Sequence, residues 1–132
     1  MHIKDCLGNV RRDIHGNNIS KKEHLKNVKK KYKVIVVSSA MEGVTNELLL
    51  KTQNIAKNFP EEEKDVILST GEQIACALIA GKLNDLGYKS RSWLGWQIPI
   101  ITRGNYSSSR IIEIKKKNII NYIKEGGIPV IT

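Results

Sequence analysis

The feature that most constrains the fold is a run of four β-branched residues, Val-Ile-Val-Val, at positions 34–37. Residues of this type favour extended backbone, and a run without intervening polar residues is typical of a strand buried on both faces. Such strands occur mainly in parallel sheets that helices cover on both sides. We therefore expect a buried strand over residues 34–39 within an α/β fold.

The residues around this strand show helical patterns. Apolar residues at intervals of three and four predict helices over residues 21–32, 46–58 and 116–124. The acidic run at 61–63 starts a further helical region, because negative side chains stabilise a helix N-terminus. A separate long apolar helix is expected over residues 74–86, where Gly87 closes it.

Short extended segments follow these helices, and their β-branched or alternating composition predicts strands. They lie at residues 89–93, 98–101, 111–114 and 128–131. The order of helices and strands predicts α/β layering with a mostly parallel sheet. The last strand reaches the end of the chain, which is the pattern expected of a shortened domain.

The positive charge is concentrated at one end. The chain carries a net charge of +9. Residues 1–33 hold ten Lys and Arg against three acids, whereas residues 34–132 are nearly balanced at 12 against 10. A basic end can bind polyanions such as nucleic acid, but weakly and without sequence preference. A solvated basic helix face is the alternative interpretation.

Several functional classes are disfavoured by composition. No apolar run has the length of a membrane span, and the N-terminus lacks the apolar stretch of a signal peptide. Cys6 and Cys76 have no redox or metal spacing, and His2, His15 and His24 do not form a metal-binding pattern. We therefore expect a cytoplasmic protein that has no metal site and no membrane association.

The turn after the first strand is a candidate anion-binding site. Ligands of open α/β sheets sit beyond the carboxyl ends of the strands, where a following helix N-terminus offers N–H groups. Ser39 and Thr45 add hydroxyl donors, and Gly43 allows close approach of a ligand. The alternative is purely structural, with Thr45 as a helix N-cap and Gly43 as a turn residue.

The segment Ser-Thr-Gly-Glu at residues 69–72 also has two interpretations. Ser-x-x-Glu is the pattern of a capping box at a helix start. In the functional interpretation, Glu72 projects from that helix start towards the first turn and binds an ammonium group. A hydroxyl-lined anion site beside one carboxylate would suit an amino acid as substrate. The sequence spacing leaves both interpretations open.

Several segments resemble, in the same order, motifs of the aspartate kinase (aspartokinase) family of the amino-acid kinase superfamily. Residues 39–46 resemble its Ser-Ala-Met-x-Gly-x-Thr-Asn turn, and residues 68–73 resemble its Leu-Ser-Thr-Gly-Glu-Gln motif. Three further stretches are similar to other motifs of the family, namely Gly-Trp-Gln at 95–97 with Thr102, Arg-Ile at 110–111 and Gly-Ile-Pro-Val at 127–130. The resemblance covers residues 20–132.

The resemblance implies the three-layer α/β/α fold of amino-acid kinases, which is also called carbamate-kinase-like, and here only part of it. It implies that Thr45 and Glu72 contact L-aspartate and that Ser39 lies near the nucleotide. It assigns no catalytic residue and no metal ligand to this chain. The family reaction transfers the γ-phosphate of ATP, with Mg²⁺, to the side-chain carboxylate of aspartate in lysine, threonine and methionine biosynthesis.

The chain departs from the family at both ends. It contains no Lys-Phe-Gly-Gly-Thr-Ser, no Gly-Phe-x-Gly and no Gly-Arg-Gly-Gly-Ser-Asp. We therefore expect an irregular basic lead segment over residues 1–19 and a partial kinase domain, the amino-acid-binding half, over 20–132. Such a fragment would be inactive alone, or active only with a complementing kinase fragment or as a homo-oligomer. The alternative is a non-catalytic remnant that binds polyanions through residues 1–33.

Overall fold

A computed structural model of the chain describes residues 11–12, 18–19 and 21–132. The described helices are α1 (Lys21–Lys31), α2 (Val44–Ile55), α3 (Glu61–Asp85) and α4 (Lys117–Lys124). The described strands are β1 (Arg11–Arg12), β2 (Asn18–Ile19), β3 (Val36–Val37), β4 (Ser90–Ser92), β5 (Ile100–Arg103), β6 (Arg110–Ile114) and β7 (Ile128–Ile131). Cys6, His2 and His15 lie outside the described residues, as does most of the predicted lead segment. The short antiparallel pair β1–β2 falls within that segment, where the sequence showed no element.

The central sheet is parallel and has the strand order β3-β7-β4. Strand β7 lies in the middle, with Val36 of β3 and Ser92 of β4 both aligned with Val130. Ile128, Pro129 and Val130 are fully buried, because neighbouring strands and both faces enclose them. The fully buried strand of this fold is therefore β7, the last strand of the chain.

Helices cover both faces of this sheet. On one face, α3 packs Ile79 and Leu83 against Ile128 and Val130 of β7. On the other face, Ile119 of α4 packs with Trp93 and Ile98, and Ile131 of β7 contacts this second cluster. Alternate residues of β7 thus serve opposite clusters, as the two-residue period of a strand requires. The predicted α/β/α layering with a mostly parallel sheet is confirmed.

The predicted strand over residues 34–39 is shorter and more exposed than expected. Only Val36 and Val37 are paired as strand β3, and Val37 is 67% exposed. The prediction of burial on both faces is wrong because β3 lies at an edge of the sheet. Val34 and Val36 pack towards α3, whereas Ile35 borders an open groove beside the short helix α4.

The two helices predicted within residues 61–86 are one continuous helix, α3. The interpretation of residues 69–72 as a capping box is therefore wrong, and so is the placement of Glu72 at a helix start, which both interpretations assumed. The Ser69 and Thr70 hydroxyls instead donate to the carbonyl oxygens of Val66 and Ile67, three residues back. These bonds satisfy both hydroxyls within the helix. The predicted end of the helix is confirmed, since Gly87 follows with a φ of 84°.

Strands β5 and β6 form a separate antiparallel hairpin. The sequence predicted both extended segments but not their pairing. Residues 101–114 are all exposed. The hairpin tip contacts the start of α3, where the Ser107 N–H donates to Asp65 Oδ2 at 3.0 Å and its hydroxyl lies 2.8 Å from Glu61 Oε2.

Candidate functional site

The carboxyl ends of the three parallel strands meet at one edge of the sheet. The Ser38 N–H donates to the Ile131 carbonyl at 2.9 Å, and the Trp93 N–H donates to the Val130 carbonyl at 2.8 Å. These bonds align the residues that leave β3, β7 and β4. In open α/β sheets this edge is where ligands bind.

A pocket of about 740 Å³ opens at this edge. Its lining comprises Val37, Ser38, Ser39, Ala40, Glu72 and Thr132. The Ser39 hydroxyl donates to Glu72 Oε1 at 3.0 Å, which joins the end of β3 to the middle of α3. Two residues that the sequence separates by 33 positions therefore form one polar pair, and Glu72 is the only acidic side chain in this lining.

Gly71 explains how α3 approaches the start of α2 beside Glu72. Gly71 is buried, and a Cβ atom at this position would lie 3.0 Å from Val44 Cγ1 and 3.2 Å from Leu48 Cδ1. A third contact would be made with Ala40 Cβ at 3.4 Å. The missing side chain therefore lets α2 and the turn before it pack directly against α3, next to Glu72.

Cys76 lies one helical turn beyond Glu72 and is fully buried. Its burial raises the pKa of the thiol, and the negative charge of Glu72 raises it further. A thiol in this environment remains protonated and is a poor nucleophile. Cys76 is therefore a packing residue of the α3 core cluster.

Gly43 is the N-cap of helix α2, with a φ of 84° and no side chain to cap the helix. The interpretation of Thr45 as N-cap is therefore wrong, since Thr45 is the second residue of α2. Its side chain is exposed. The terminus of α2 carries the partial positive charge of a helix dipole, and its first turn also contains Glu47.

The structure brings together two of the three residues singled out by the sequence. Ser39 and Glu72 are in contact, whereas Thr45 lies in the first turn of α2, outside the pocket lining. Thr132, which the sequence motifs did not single out, also lines the pocket. Thr132 directly follows strand β7, and residues that follow parallel strands lie at the same edge of the sheet as Ser39. That position could have identified Thr132 as a candidate pocket residue.

A metal site is not evident in the described part of the chain. There, no group of three or more His, Cys, Asp or Glu side chains converges where it could hold an ion. The described residues at this edge therefore offer one carboxylate, that of Glu72, and the hydroxyl of Ser39 that donates to it.

The chain matches the model of the amino acid kinase family over residues 18–132. It is 39% identical over 98 residues to an aspartokinase of Bacillus sp. strain MGA3, covering 74% of this chain and 24% of that protein. It is 37% identical over 107 residues to an aspartokinase of Geobacillus stearothermophilus, covering 81% and 26%. The chain thus spans about a quarter of the length of these relatives.

The fold is also similar to a solved structure. The crystal structure of an aspartate kinase from Synechocystis superposes with a TM-score of 0.65 at 27% sequence identity. The superposition covers 84% of this chain and 18% of that one. Sequence and structure comparisons therefore lead to the same family.

Proposed function

The chain belongs to the amino acid kinase family, and from this premise we propose that it is the amino-acid-binding part of an aspartate kinase. The observation that carries the proposal is the contact between Ser39 and Glu72 at the carboxyl edge of the sheet. The substrate proposed is L-aspartate, as the names of the aspartokinase relatives suggest. The alternative of a polyanion-binding remnant is not favoured, because the matching relatives are kinases.

In this proposal Glu72 binds the ammonium group of the amino acid. A carboxylate and an ammonium form a charge-assisted hydrogen bond, which is stronger than a neutral one. Glu72 carries two carboxylate oxygens, and Ser39 donates to Oε1 at 3.0 Å. That bond fixes the orientation of the carboxylate, while Oε2 is left to receive the substrate.

The first turn of α2 would bind a carboxylate of the same substrate. It supplies backbone N–H groups, the dipole of the helix and the exposed hydroxyl of Thr45. Gly43 contributes no side chain that would compete for these donors. The close approach of Val44 to Gly71 supports this arrangement, in which one small molecule would bridge the turn and Glu72.

The phosphoryl-transfer step requires more than this chain offers. When bound, ATP with Mg²⁺ supplies the transferred phosphoryl group and neutralises its charge. The sequence contains no Lys-Phe-Gly-Gly-Thr-Ser, and no group of three or more possible metal ligands converges in the described part of the chain. Ser39, at the carboxyl edge of the sheet, is the residue of this chain that we propose lies near the nucleotide. We assign substrate binding to this chain and no catalytic step, in a protein of the cytoplasm that serves amino-acid biosynthesis.

A chimeric enzyme tests the proposal. Residues 20–132 would replace the matching segment of the Geobacillus stearothermophilus aspartokinase, and aspartyl hydroxamate formation would be measured with Mg·ATP. We expect turnover by the chimera and none by the isolated chain. The Glu72→Gln chimera should lose about tenfold or more in kcat/KM, because it lacks the charge that binds the ammonium.

The matched control is Glu125→Gln, which removes an exposed carboxylate paired with Lys89 far from the pocket. It should leave kcat/KM unchanged. Circular dichroism and native mass would first establish that the chimera is folded. A folded chimera without turnover, or one in which Glu72→Gln has no effect, would contradict the proposed role of this segment.

A further inference from the structure

Strand β3 lies at an edge of the central sheet, and its outer side has no neighbouring strand among the described residues. The Ser38 N–H donates to the Ile131 carbonyl at 2.9 Å, so the backbone groups of Val36 and Ser38 face β7. Because these groups alternate in direction along a strand, the N–H and carbonyl of Val37, and of Ile35 before it, face away from β7. This edge therefore offers hydrogen-bonding groups to a further strand.

An apolar groove lies beside this edge. It has a volume of about 210 Å³ and is lined by Ile35, by Ile120 and Ile123 of α4, and by Lys33 and Lys124. Ile35 is 46% exposed and Ile120 is 40% exposed, although both are large aliphatic side chains. A strand that pairs with β3 would present every second side chain on the face that carries Ile35, since side chains alternate between the two faces of a sheet. The groove would then receive an apolar side chain of that strand.

All the charge in the groove lining is positive. Lys33 and Lys124 are exposed, and no acidic side chain lines the groove with them. None of the ion pairs that the described residues form with one another involves either lysine. Lys117 lies two turns before Lys124, on the side of α4 that carries Ile120, and adds to the positive charge. A partner of complementary charge therefore carries acidic side chains.

The exposed side of α3 differs from the groove in this respect. Helix α3 is long and apolar enough to cross a membrane, but one of its faces packs against the sheet. Its exposed residues between positions 66 and 81 are uncharged. The groove, and not this helix, therefore carries the charges that select a partner.

We propose that β3 binds an extended segment of a partner protein in which Asp or Glu stands two positions before and two positions after an apolar residue. The backbone of the segment pairs with Ile35 and Val37, and its apolar side chain enters the groove. Its two carboxylates meet Lys33 and Lys124, and such charge-assisted hydrogen bonds are stronger than neutral ones. The inference does not rest on the proposed function, because the polar pair of the carboxyl-edge pocket takes no part.

Charge disfavours the other occupants of this edge. A second copy of the chain would bring the lysines of two grooves together, and lysines at a sheet edge protect it against such self-pairing. The lead segment over residues 1–19 contains only two acids, Asp5 and Asp13. They lie too far apart in the sequence to flank one apolar residue. A separate acidic segment is therefore the occupant that the groove fits.

Two designed peptides test the proposal on the full ¹⁵N-labelled chain. The acidic probe is acetyl-Thr-Glu-Thr-Val-Thr-Glu-Thr-amide, and the basic probe has Lys in place of both Glu residues. With about 5 mM acidic probe, we expect chemical-shift changes at Ile35, Val37 and Ile120, and we expect none with the basic probe. Absence of shifts at these residues with the acidic probe, or equal shifts with both probes, would overturn the proposal.

Charge reversal tests whether the two lysines select the partner. The double variant Lys33→Glu, Lys124→Glu should weaken binding of the acidic probe by about tenfold or more and should allow the basic probe to bind. The matched control is Lys26→Glu, Lys57→Glu, which changes an exposed lysine of α1 and one beside the end of α2. It should leave both titrations unchanged. Equal losses in the two double variants would assign the effect to net charge and would overturn the proposal.

N-methylation of the acidic probe separates strand pairing from charge attraction alone. Alternate amides of a paired strand face β3, and the others face solvent. Methylation of one alternate set should therefore abolish binding, and methylation of the other set should not. Equal effects of the two sets would contradict strand pairing. Shifts at the groove residues with oligothymidylate, and none with the acidic probe, would replace the protein segment by a nucleic acid.

Discussion

The central sheet and the β5–β6 hairpin differ in what holds their strands in place. The strands of the sheet are two to four residues long, yet β7 is almost completely buried between α3 and α4. The hairpin strands are four and five residues long, and every residue from 101 to 114 is exposed. Apolar cover, and not strand length, therefore distinguishes the two regions.

The hairpin is held by polar contacts at its two ends. At its base, the Lys115 N–H donates to the Pro99 carbonyl at 3.0 Å. At its tip, Ser107 bonds to Glu61 and Asp65 in the first turns of α3. Such exposed contacts are individually weak, because water competes for each of them. Removal of a single polar group should thus have little effect on the stability of the sheet, whereas it should loosen the hairpin.

Removal of an apolar side chain from the core should have the largest effect. Leu83 is 2% exposed and packs between α3 and β7, so Leu83→Ala leaves a cavity. We expect the free energy of unfolding to fall by about 3 kcal/mol. In the hairpin, Ile112 is 56% exposed. Ile112→Ala should therefore change the free energy of unfolding by about 0.5 kcal/mol or less. Urea unfolding curves of both variants measure the two free energies of unfolding. Comparable losses of stability in the two variants would contradict the expected difference between the sheet and the hairpin.

Alanine substitutions at two glycines of α3 should give the next largest difference in the free energy of unfolding. A Cβ at Gly71 meets Val44 at 3.0 Å, whereas one at Gly81 meets nothing within 4 Å. Gly71→Ala should therefore destabilise the chain by about 1 kcal/mol, despite the better helix propensity of alanine. Gly81→Ala should stabilise it by up to about 1 kcal/mol. Thermal unfolding at high dilution provides the measurement, and equal shifts in the same direction would refute close packing at Gly71.

Loss of the hydroxyl contacts of Ser107 should loosen the hairpin without unfolding the sheet. Ser107 has a φ of 59°, so Ser107→Gly removes the hydroxyl while keeping a residue that tolerates this backbone conformation. We expect faster hydrogen exchange in residues 100–114 and unchanged exchange in β7. Ser108→Gly is the control, because its hydroxyl bonds only within the loop. Faster exchange in β7 as well would show that the two regions are not independent.

The tip contact should also weaken at low pH. The Lys64 ammonium and then the Ser107 hydroxyl, both bonded to the carboxylate, lower the pKa of Glu61. A lowered pKa means that the contact contributes above the ordinary glutamate value and is lost as pH falls through the lowered one. The protection factors of the hairpin amides, which are corrected for the intrinsic pH dependence of exchange, should therefore fall over that acidic range. Glu61→Gln should abolish this dependence, and a persistent dependence would assign it to another group.

The sequence predicted what depends on local pattern and missed what depends on tertiary contact. The helix end at Gly87 and the strand at 128–131 were predicted correctly. A glycine that can adopt a positive φ marks a helix end, and β-branched residues mark a strand, so both patterns can be read from the local sequence. The continuity of α3 through Gly71 was missed, since the packing of Val44 against that glycine is a contact between distant residues. The exposure of Val37 was missed because a β-branched run does not reveal an edge position.

In the candidate site, too, some features could be predicted from the local sequence and others could not. The sequence singled out Ser39 and Glu72, but it gave Glu72 the wrong place in its helix. Only the structure shows their hydrogen bond. Thr132 was missed because its place beside Ser39 results from the alignment of β3 with β7. The residue types of a site can thus be predicted from motifs, whereas their arrangement requires the sheet order.

The central claim is that Ser39 and Glu72 belong to a site for an amino acid, and a chemical-shift titration of the ¹⁵N-labelled chain tests it most directly. With about 10 mM L-aspartate, we expect shifts for Ser39, Glu72 and the first turn of α2. Succinate, which lacks the ammonium group, should produce weaker shifts, and Glu72→Gln should abolish the difference between the two ligands. Absence of shifts at these residues, or identical responses to aspartate and succinate in the unmodified chain, would contradict the account.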